Sequence, residues 1–389
     1  MDDVVDNIKN KLVGLKGLAS IGLADIIGNA ITVLFWFYIA SRLDPHDYGQ
    51  IQYFLGIAGT ASYISLIGTQ NTITVYTAKN INVQSTLYLI SLLVGLVSSI
   101  AIMIIFYRID VVLLLFGYII NTLAIGELLG RKDYTIYARY TLIQKGLTLA
   151  LGIGFYFAFG ANGIIFALAL SYIGFSIRIY KRLRSNKINF SLVKQRSRFI
   201  ANNYFLILAG GLAGQADKLV IAPLLGFAIL GNYSLAVQFF GGLMIFSNII
   251  YKYIVPEDSS GNLNRKLKIY TVVISVIITT LGITLLPYLI PAFFPKFTSA
   301  VEAIQIMSLA IIPTTMNMIY VSKFLASENS RILLIASVVA LSATVSGTIA
   351  FGHMFGTRGV ASAFVLSASL EVIFLIFANH RQGKLQQMQ

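Results

Sequence analysis

The feature that most constrains this chain is a succession of apolar segments, each about as long as a bilayer is thick. Hydrophobic residues make up 57% of the 389 residues, and charged residues only 11%. A soluble domain carries about 25% charged residues, and roughly 20 apolar residues in a helix cross the hydrocarbon core. The sequence therefore predicts an all-α integral membrane protein.

Twelve spans can be placed along the chain. They run over 17–41, 51–78, 86–107, 111–129, 146–160, 163–180, 200–224, 228–254, 268–292, 303–326, 332–355 and 359–379. We expect an N-terminal six-helix bundle over 1–180, a basic cytoplasmic linker over 181–199 and a C-terminal six-helix bundle over 200–389. Pro313, in the middle of the tenth span, predicts a kink there because it removes a backbone hydrogen bond.

Basic residues set the predicted orientation. If both termini are cytoplasmic, the outer side holds only Arg42, Arg108, Lys296 and Arg358 of the 29 Lys and Arg residues, with Lys218 inside a span. Short cytoplasmic loops of membrane proteins carry an excess of Lys and Arg. Orientation thus explains the net charge of +14, and we expect membrane lipids but no nucleic acid as partners.

The two halves share a motif. Phe-Gly-x-x-Gly begins at Phe159 and again at Phe355, 196 positions later, and the following apolar residues are similar. The same offset aligns Asn121 with Asn317. The competing explanation is chance similarity between apolar helices.

A second offset relates the segments that begin each half. At 182 positions, Leu43 aligns with Leu225 and Gly49 with Gly231. Six helices per unit is an even number, so both units would insert in the same orientation. The pattern predicts a parallel internal repeat, an arrangement in which transporters place the substrate site between the halves.

Two motifs resemble those of a known family. The first outer turn of that family is approximately Leu-x-Pro-x-x-(Tyr/Phe)-Gly, and it is matched by Leu43, Pro45, Tyr48 and Gly49. The seventh span of that family carries an acid–base pair, a Leu-Gly turn and Gly-x-Tyr, matched by Asp217, Lys218, Leu225, Gly226, Gly231 and Tyr233. The chain is similar to Wzx-type flippases of O-antigen and teichoic-acid precursors, within the multidrug/oligosaccharidyl-lipid/polysaccharide exporter (MOP) superfamily.

The resemblance implies two six-helix bundles around a central cavity. It implies alternating access that moves a polyprenyl-(pyro)phosphate-linked oligosaccharide from the cytoplasmic to the outer leaflet for polysaccharide biosynthesis. It also implies coupling to H⁺ or Na⁺ and a location in the plasma (inner) membrane. We expect a monomer without a cofactor, and not an enzyme.

Polar side chains inside the spans are the candidate site residues, because burying them in hydrocarbon is costly. For contacts with the substrate we select Lys218, Gln215, Asn29, Gln70, Asn71, Asn203, Gln238, Asn248 and Lys252. For ion coupling we select Asp217, Asp25 and Glu371. For each, the alternative is a structural charge pair or interhelical hydrogen bond. We predict no catalytic residue and no metal site, because cysteine is absent and the three histidines show no ligand spacing.

Two other functions compete with a flippase. An ion-coupled multidrug exporter of the same superfamily would use acidic residues to hold cationic drugs, and Asp25, Asp217 and Glu371 are available for this. A membrane polysaccharide polymerase or ligase is less favoured. Such enzymes need sizeable outer loops, and the predicted outer loops have only a few residues.

Overall fold

The computed structural model describes residues 2–185, 188–260, 264–327 and 329–387. Within these ranges the chain forms α-helices and one short 3₁₀ turn, and no strand. The predicted all-α fold is confirmed. Positions 186 and 187 of the predicted linker lie outside the described residues.

The helices follow one another with short connections. The first nine are α1 (Asp2–Arg42), α2 (Pro45–Ser65), α3 (Gln70–Ala78), α4 (Gln84–Phe106), α5 (Ile109–Gly130), α6 (Tyr134–Phe159), α7 (Gly163–Ser171), α8 (Ile173–Ser185) and α9 (Phe190–Gln195). The remainder are α10 (Ser197–Ala213), α11 (Ala216–Leu225), α12 (Phe227–Leu243), α13 (Ile245–Ser259), α14 (Arg265–Phe293), α15 (Thr298–Ser308), α16 (Ile311–Ala326) and α17 (Ser330–Gln387).

These helices supply twelve membrane crossings. Seven helical segments of the described chain are long and apolar enough to cross a membrane, and three bent helix pairs bring the number to 10. Two of the seven, Tyr134–Arg184 and Arg331–Gln382, have 51 and 52 residues, and one crossing needs only about 20. Each is interrupted at a glycine of positive φ, Gly160 or Gly356. Division at these glycines gives the twelve spans of a multi-pass membrane protein.

The kink predicted at Pro313 is confirmed. Helices α15 and α16 form one bent pair, and their axes meet at 44°. Pro313 is the third residue of α16, a position whose N–H has no partner within its own helix. The proline therefore stabilises the start of the new helix without losing a hydrogen bond.

The chain divides into two compact units, Met1–Ile39 with Phe54–Gln215 and Ala40–Tyr53 with Ala216–Gln389. In the first unit, α5 lies at the centre against α3, α4 and α7. In the most apolar stretch of α5, 56% of the residues are buried, a larger share than in any other membrane-length helix described. In the second unit, α15 packs against α12, α14 and α17. The division into bundles at 1–180 and 200–389 remains a prediction.

The Phe-Gly-x-x-Gly motifs have the same backbone structure in both units. Gly160 has φ 65° and ψ −150°, and Gly356 has φ 59° and ψ −132°. This region of the φ/ψ map is essentially restricted to glycine. Three residues later, Gly163 and Gly359 each lie against the carbonyl oxygen of the residue eight positions earlier. The repeated geometry is explained by a duplication better than by chance similarity.

The residues aligned at the second offset touch each other inside the second unit. A β-carbon on Gly49 would clash with the carbonyl oxygen of Phe227, and one on Gly231 would clash with the carbonyl oxygen of Pro45. Pro45 and Phe227 are themselves 182 positions apart. The contact is therefore reciprocal between the N-terminal ends of α2 and α12, and it requires glycine on both sides.

We predict that Gly49→Ala and Gly231→Ala each destabilise the protein by about 1–3 kcal/mol, because the added methyl group meets backbone atoms that cannot move aside. Thermal unfolding of the purified protein in detergent should show a melting temperature several degrees lower for each variant. Gly241→Ala is the matched control, since a β-carbon there meets no atom within 4 Å. An equal effect at Gly241 would contradict the proposed role of the contact.

Candidate functional site

In the first unit, Asp25 and Asn29 line a polar cavity of about 190 Å³. They are four residues apart on α1 and therefore share one face of that helix. Further lining residues come from α5, α6 and the junction of α7 with α8: Asn121, Tyr137, Gln144, Lys145 and Tyr172. The structure thus brings these two predicted residues together in a pocket formed by one unit alone.

The Asp25 carboxylate is held by neighbours on α6. The Tyr137 hydroxyl donates a hydrogen bond of 2.7 Å to Asp25 Oδ1. Lys145 interacts electrostatically with Asp25, and its stem packs on Gly28. A carboxylate, a phenol and an ammonium group in one small cavity can hold or relay a proton. A metal cation would have to compete with the Lys145 ammonium group for the same carboxylate.

Tyr137 and Lys145 were not predicted from the sequence. The predicted fifth span, 146–160, begins too late, because α6 starts at Tyr134. Both residues consequently lie inside the helix and not before it. The available signal was the row of polar residues Tyr137, Thr141, Gln144 and Thr148, whose spacing of three and four places them on one helical face.

In the second unit, Asp217 and Lys218 directly follow a break in the seventh span. Helix α10 ends at Ala213 and α11 begins at Ala216, so both charges lie in the first turn of a new helix. An acid is stabilised there by the positive end of the helix dipole. Asp217 Oδ1 accepts a hydrogen bond of 2.8 Å from the Lys218 backbone N–H. The charges therefore mark a helix start within the membrane.

Tyr233 joins α12 to this helix start. Its hydroxyl is within hydrogen-bonding reach of the Asp217 carboxylate, and Tyr233 itself is buried. Asp217 also interacts electrostatically with the Lys218 ammonium group. Asp217 thus links α11 to α12 and lies beside the Lys218 ammonium group. Its role in ion coupling remains a prediction.

Gln215 lies in the break itself. Its side chain packs on Gly59 of α2, where a β-carbon would be 3.3 Å from Gln215 Cδ. Gln215 and Gly59 belong to the first unit, whereas Lys218 belongs to the second. Gln215 therefore precedes the helix that carries Lys218.

Three of the amide side chains predicted to contact the substrate donate hydrogen bonds to nearby residues. Asn203 donates to the Phe199 carbonyl at 3.1 Å and Asn248 to the Met244 carbonyl at 3.0 Å, each within its own helix. Gln238 donates to the Tyr48 hydroxyl in the second unit. Hydrogen bonds of this kind, within one helix or to a neighbouring helix, are expected if these amides have a structural role in place of a substrate contact.

The remaining candidates occupy separate places. Gln70 and Asn71 begin α3 after the break in the second span, and Lys252 is exposed on α13. Glu371 of α17 is within hydrogen-bonding reach of Asn317 on α16. Asn121, which aligns with Asn317, lines the Asp25 cavity. Each unit thus places an asparagine at the equivalent position beside a carboxylate, although the carboxylates come from different helices.

One group of possible metal ligands lies at the surface, formed by Asp44, His46 and Asp47. Asp44 Oδ1 accepts a hydrogen bond of 2.9 Å from the Asp47 backbone N–H. Asp44 is therefore the N-cap of α2, followed by proline at the first helical position. Helix capping thus explains Asp44, and His46 Nδ1 lies 3.4 Å from Asp47 Oδ1.

No protein-family model matches the sequence, and no curated protein matches it. Solved structures do match. A multidrug resistance MATE family transporter of the MOP superfamily, in an inward-facing conformation, is 16% identical with a TM-score of 0.71, over 95% of this chain and 99% of that one. The lipid II flippase MurJ, in an inward closed conformation, is 12% identical with a TM-score of 0.72, over 92% of this chain and 87% of that one.

A third structure is a MOP superfamily transporter from Pyrococcus furiosus, described as having a binding pocket of reverse polarity that suggests a different function. It is 18% identical with a TM-score of 0.53, over 95% of this chain and 96% of that one. This chain has the MOP transporter fold. The predicted superfamily fold is confirmed, whereas the resemblance to Wzx-type flippases remains a prediction.

We predict that Asp25 and Lys145 are energetically coupled. Asp25→Asn or Lys145→Met alone leaves one charge in a small cavity, whereas the double variant removes both charges. The coupling energy should be about 1 kcal/mol in a double-mutant cycle. Thermal unfolding in detergent measures it, and simple additivity of the two single changes would contradict the pair.

Proposed function

We propose that this protein is a flippase for a polyprenyl-(pyro)phosphate-linked oligosaccharide. It moves this lipid from the cytoplasmic to the outer leaflet of the plasma (inner) membrane by alternating access, in cell-surface polysaccharide biosynthesis of the O-antigen type. Both termini lie in the cytoplasm, and the protein acts as a monomer. The proposal is supported by a fold shared with a lipid II flippase over 92% of the chain.

The observation that carries the proposal is the position of Lys218 at a helix start inside the seventh span. Half-helix N-termini within transporters attract anionic groups of the substrate, and an ammonium group adds a positive charge that binds phosphate. Asp217 fixes the geometry through Tyr233 and its own helix start. In this proposal, Lys218 binds the phosphate or pyrophosphate of the lipid carrier.

The proposed ion-coupling residues are Asp25 and Glu371. Each carboxylate has a neutral partner, Tyr137 and Asn317 respectively. These partners stabilise either the charged or the protonated carboxyl group, since a phenol donates and an amide both donates and accepts. At Asp25 the nearby Lys145 already supplies a positive charge, so either coupling ion, H⁺ or Na⁺, has to displace this interaction.

We predict that Lys218→Ala abolishes flipping, because the phosphate loses its cation within the membrane. In cells lacking the gene, the lipid-linked oligosaccharide should accumulate on the cytoplasmic face. A sugar-cleaving enzyme applied to inverted and right-side-out vesicles measures its distribution. The unmodified gene should relieve the accumulation, and the Lys218→Ala gene should not.

Two control variants separate substrate binding from folding. Lys266→Ala removes a lysine that is exposed at the start of α14, and it should flip normally. Tyr233→Phe weakens the link to Asp217 but keeps the Lys218 ammonium group, so it should lower stability more than flipping. If Lys218→Ala relieves the accumulation as well as the unmodified gene does, Lys218 has only a structural role.

Multidrug export is the second candidate function, favoured by the Asp25 cavity and by the similarity to a MATE transporter. A cationic dye tests it. For a flippase we predict that expression of the unmodified gene leaves dye accumulation in cells unchanged. Dye efflux that depends on the gene and is lost in Asp25→Asn would instead support drug export.

A further inference from the structure

A second polar cavity lies at one end of the first unit and shares no lining residue with the Asp25 cavity. Its volume is about 390 Å³, which falls in the range of about 300–1,000 Å³ usual for small-molecule sites. Its walls are the turn between α3 and α4 and the turn between α5 and α6. Its polar lining includes Asn80, Asn82, Gln84, Arg131, Lys132 and Asp133.

Both turns that form the cavity begin with the same kind of helix C-terminus. Asn80 after α3 and Lys132 after α5 have φ of 54° and 62°. In each turn this residue and the next one donate hydrogen bonds back to helix carbonyls, the pattern of a Schellman motif. Glycine is usual at this position because a β-carbon is strained there. Lys132 therefore keeps an ammonium group at the cavity in spite of an unfavourable backbone conformation.

The cavity has an excess of positive charge. Arg131 is fixed by Glu127, with 2.7 Å from its Nε to Glu127 Oε1, and the Glu127 side chain is only 1% exposed. Asp133, the acid in the lining, is 3.7 Å from Arg178 outside it. Glu127 also pairs with Arg182 at 2.6 Å, so the basic residues at and around the cavity outnumber the acidic ones.

Two long helices begin at this cavity. Helix α4 starts at Gln84, and α6 starts at Tyr134 directly after Asp133. In neither helix does the N-cap side chain, Val83 or Asp133, accept a hydrogen bond from a backbone N–H of the first turn. Backbone N–H groups at a helix start carry partial positive charge and bind anions. The helix starts therefore add to the charge of Arg131 and Lys132.

Gln84 provides an independent sign of a ligand. The residue is 5% exposed, and its Nε2 donates a hydrogen bond of 3.0 Å to Thr77 Oγ1. Its Oε1 is buried and accepts no hydrogen bond from the described residues. The two ends of an amide can be exchanged, but in either orientation one end bonds Thr77 and the other lacks a partner. A buried polar atom of this kind usually has a partner.

We propose that this cavity binds a phosphate group carried by a hydroxylated small molecule. Arg131, Lys132 and the two helix starts bind the phosphate oxygens. Gln84 and Asp133 accept hydrogen bonds from the neighbouring hydroxyl groups. The glycerophosphate head of an anionic lipid has this chemistry, and so does glycerol phosphate in solution. The site does not depend on the proposed flippase activity.

The test uses the full-length protein and two variants. Lys132→Asn removes the charge but keeps a residue that tolerates positive φ, so the fold should be retained. Gln84→Glu is nearly isosteric and places a negative charge beside the phosphate. Each variant should weaken binding about tenfold, a loss of about 1.4 kcal/mol. The matched control is Lys79→Gln, because Lys79 is exposed in the same turn but does not line the cavity.

Two measurements distinguish the sources of the phosphate. Equilibrium dialysis of radiolabelled glycerol 3-phosphate detects a soluble ligand, and weaker binding in both variants supports that source. Native mass spectrometry of protein from phosphatidylcholine nanodiscs containing phosphatidylglycerol counts retained anionic lipids. Loss of one phosphatidylglycerol in both variants supports a lipid headgroup. If neither measurement separates the two variants from Lys79→Gln, the proposal is wrong.

Discussion

Hydrocarbon contains no water, so a break in a spanning helix requires partners inside the protein for the backbone groups it frees. In the second span, the Gly68 N–H after α2 donates to Ser91 Oγ at 3.0 Å. In the seventh span, the Gln215 N–H donates to the Leu212 carbonyl at 3.1 Å. Asp217 accepts a hydrogen bond from the Lys218 backbone N–H at the start of the new helix. At both of these breaks such partners are present. Ser91 and Asp217 are polar side chains that lie at these two breaks.

A duplication explains why much of the fold could be predicted from the sequence. In the Phe-Gly-x-x-Gly motifs at Phe159 and Phe355, both glycines are required by the backbone. The first has a positive φ, and the second lies against a carbonyl oxygen where a β-carbon would clash. Gly49 and Gly231 are related in the same way, through a contact that neither could make with a β-carbon. Ten of the spans follow from apolar length and helix bends, and the two glycines divide the two longest helices to give twelve. These features depend on local backbone sterics and hydrophobicity, which a single sequence records directly.

The candidate sites were less predictable, because they depend on where helices begin and on which helices are neighbours. Because the fifth span was predicted to start too late, Tyr137 and Lys145, the partners of Asp25, were not selected as site residues. No apolar pattern indicates the break after Ala213 that separates Gln215 from Lys218. The hydrogen bonds of Asn203 and Asn248 with their own helices likewise depend on side-chain rotamers. Residue type identified the charged groups, but only the packing shows what each one touches.

The charged residues of the second unit occur where the first unit has hydrophobic core. At the offset of 182, Asp217 aligns with Phe35, and at the offset of 196, Glu371 aligns with Phe175. These phenylalanines are 0% and 1% exposed, so a duplicated scaffold is stable with an aromatic ring at either position. The fold itself therefore does not require a carboxylate there. Since burying charge in hydrocarbon is costly, the departure from symmetry supports the proposal that these two positions serve transport.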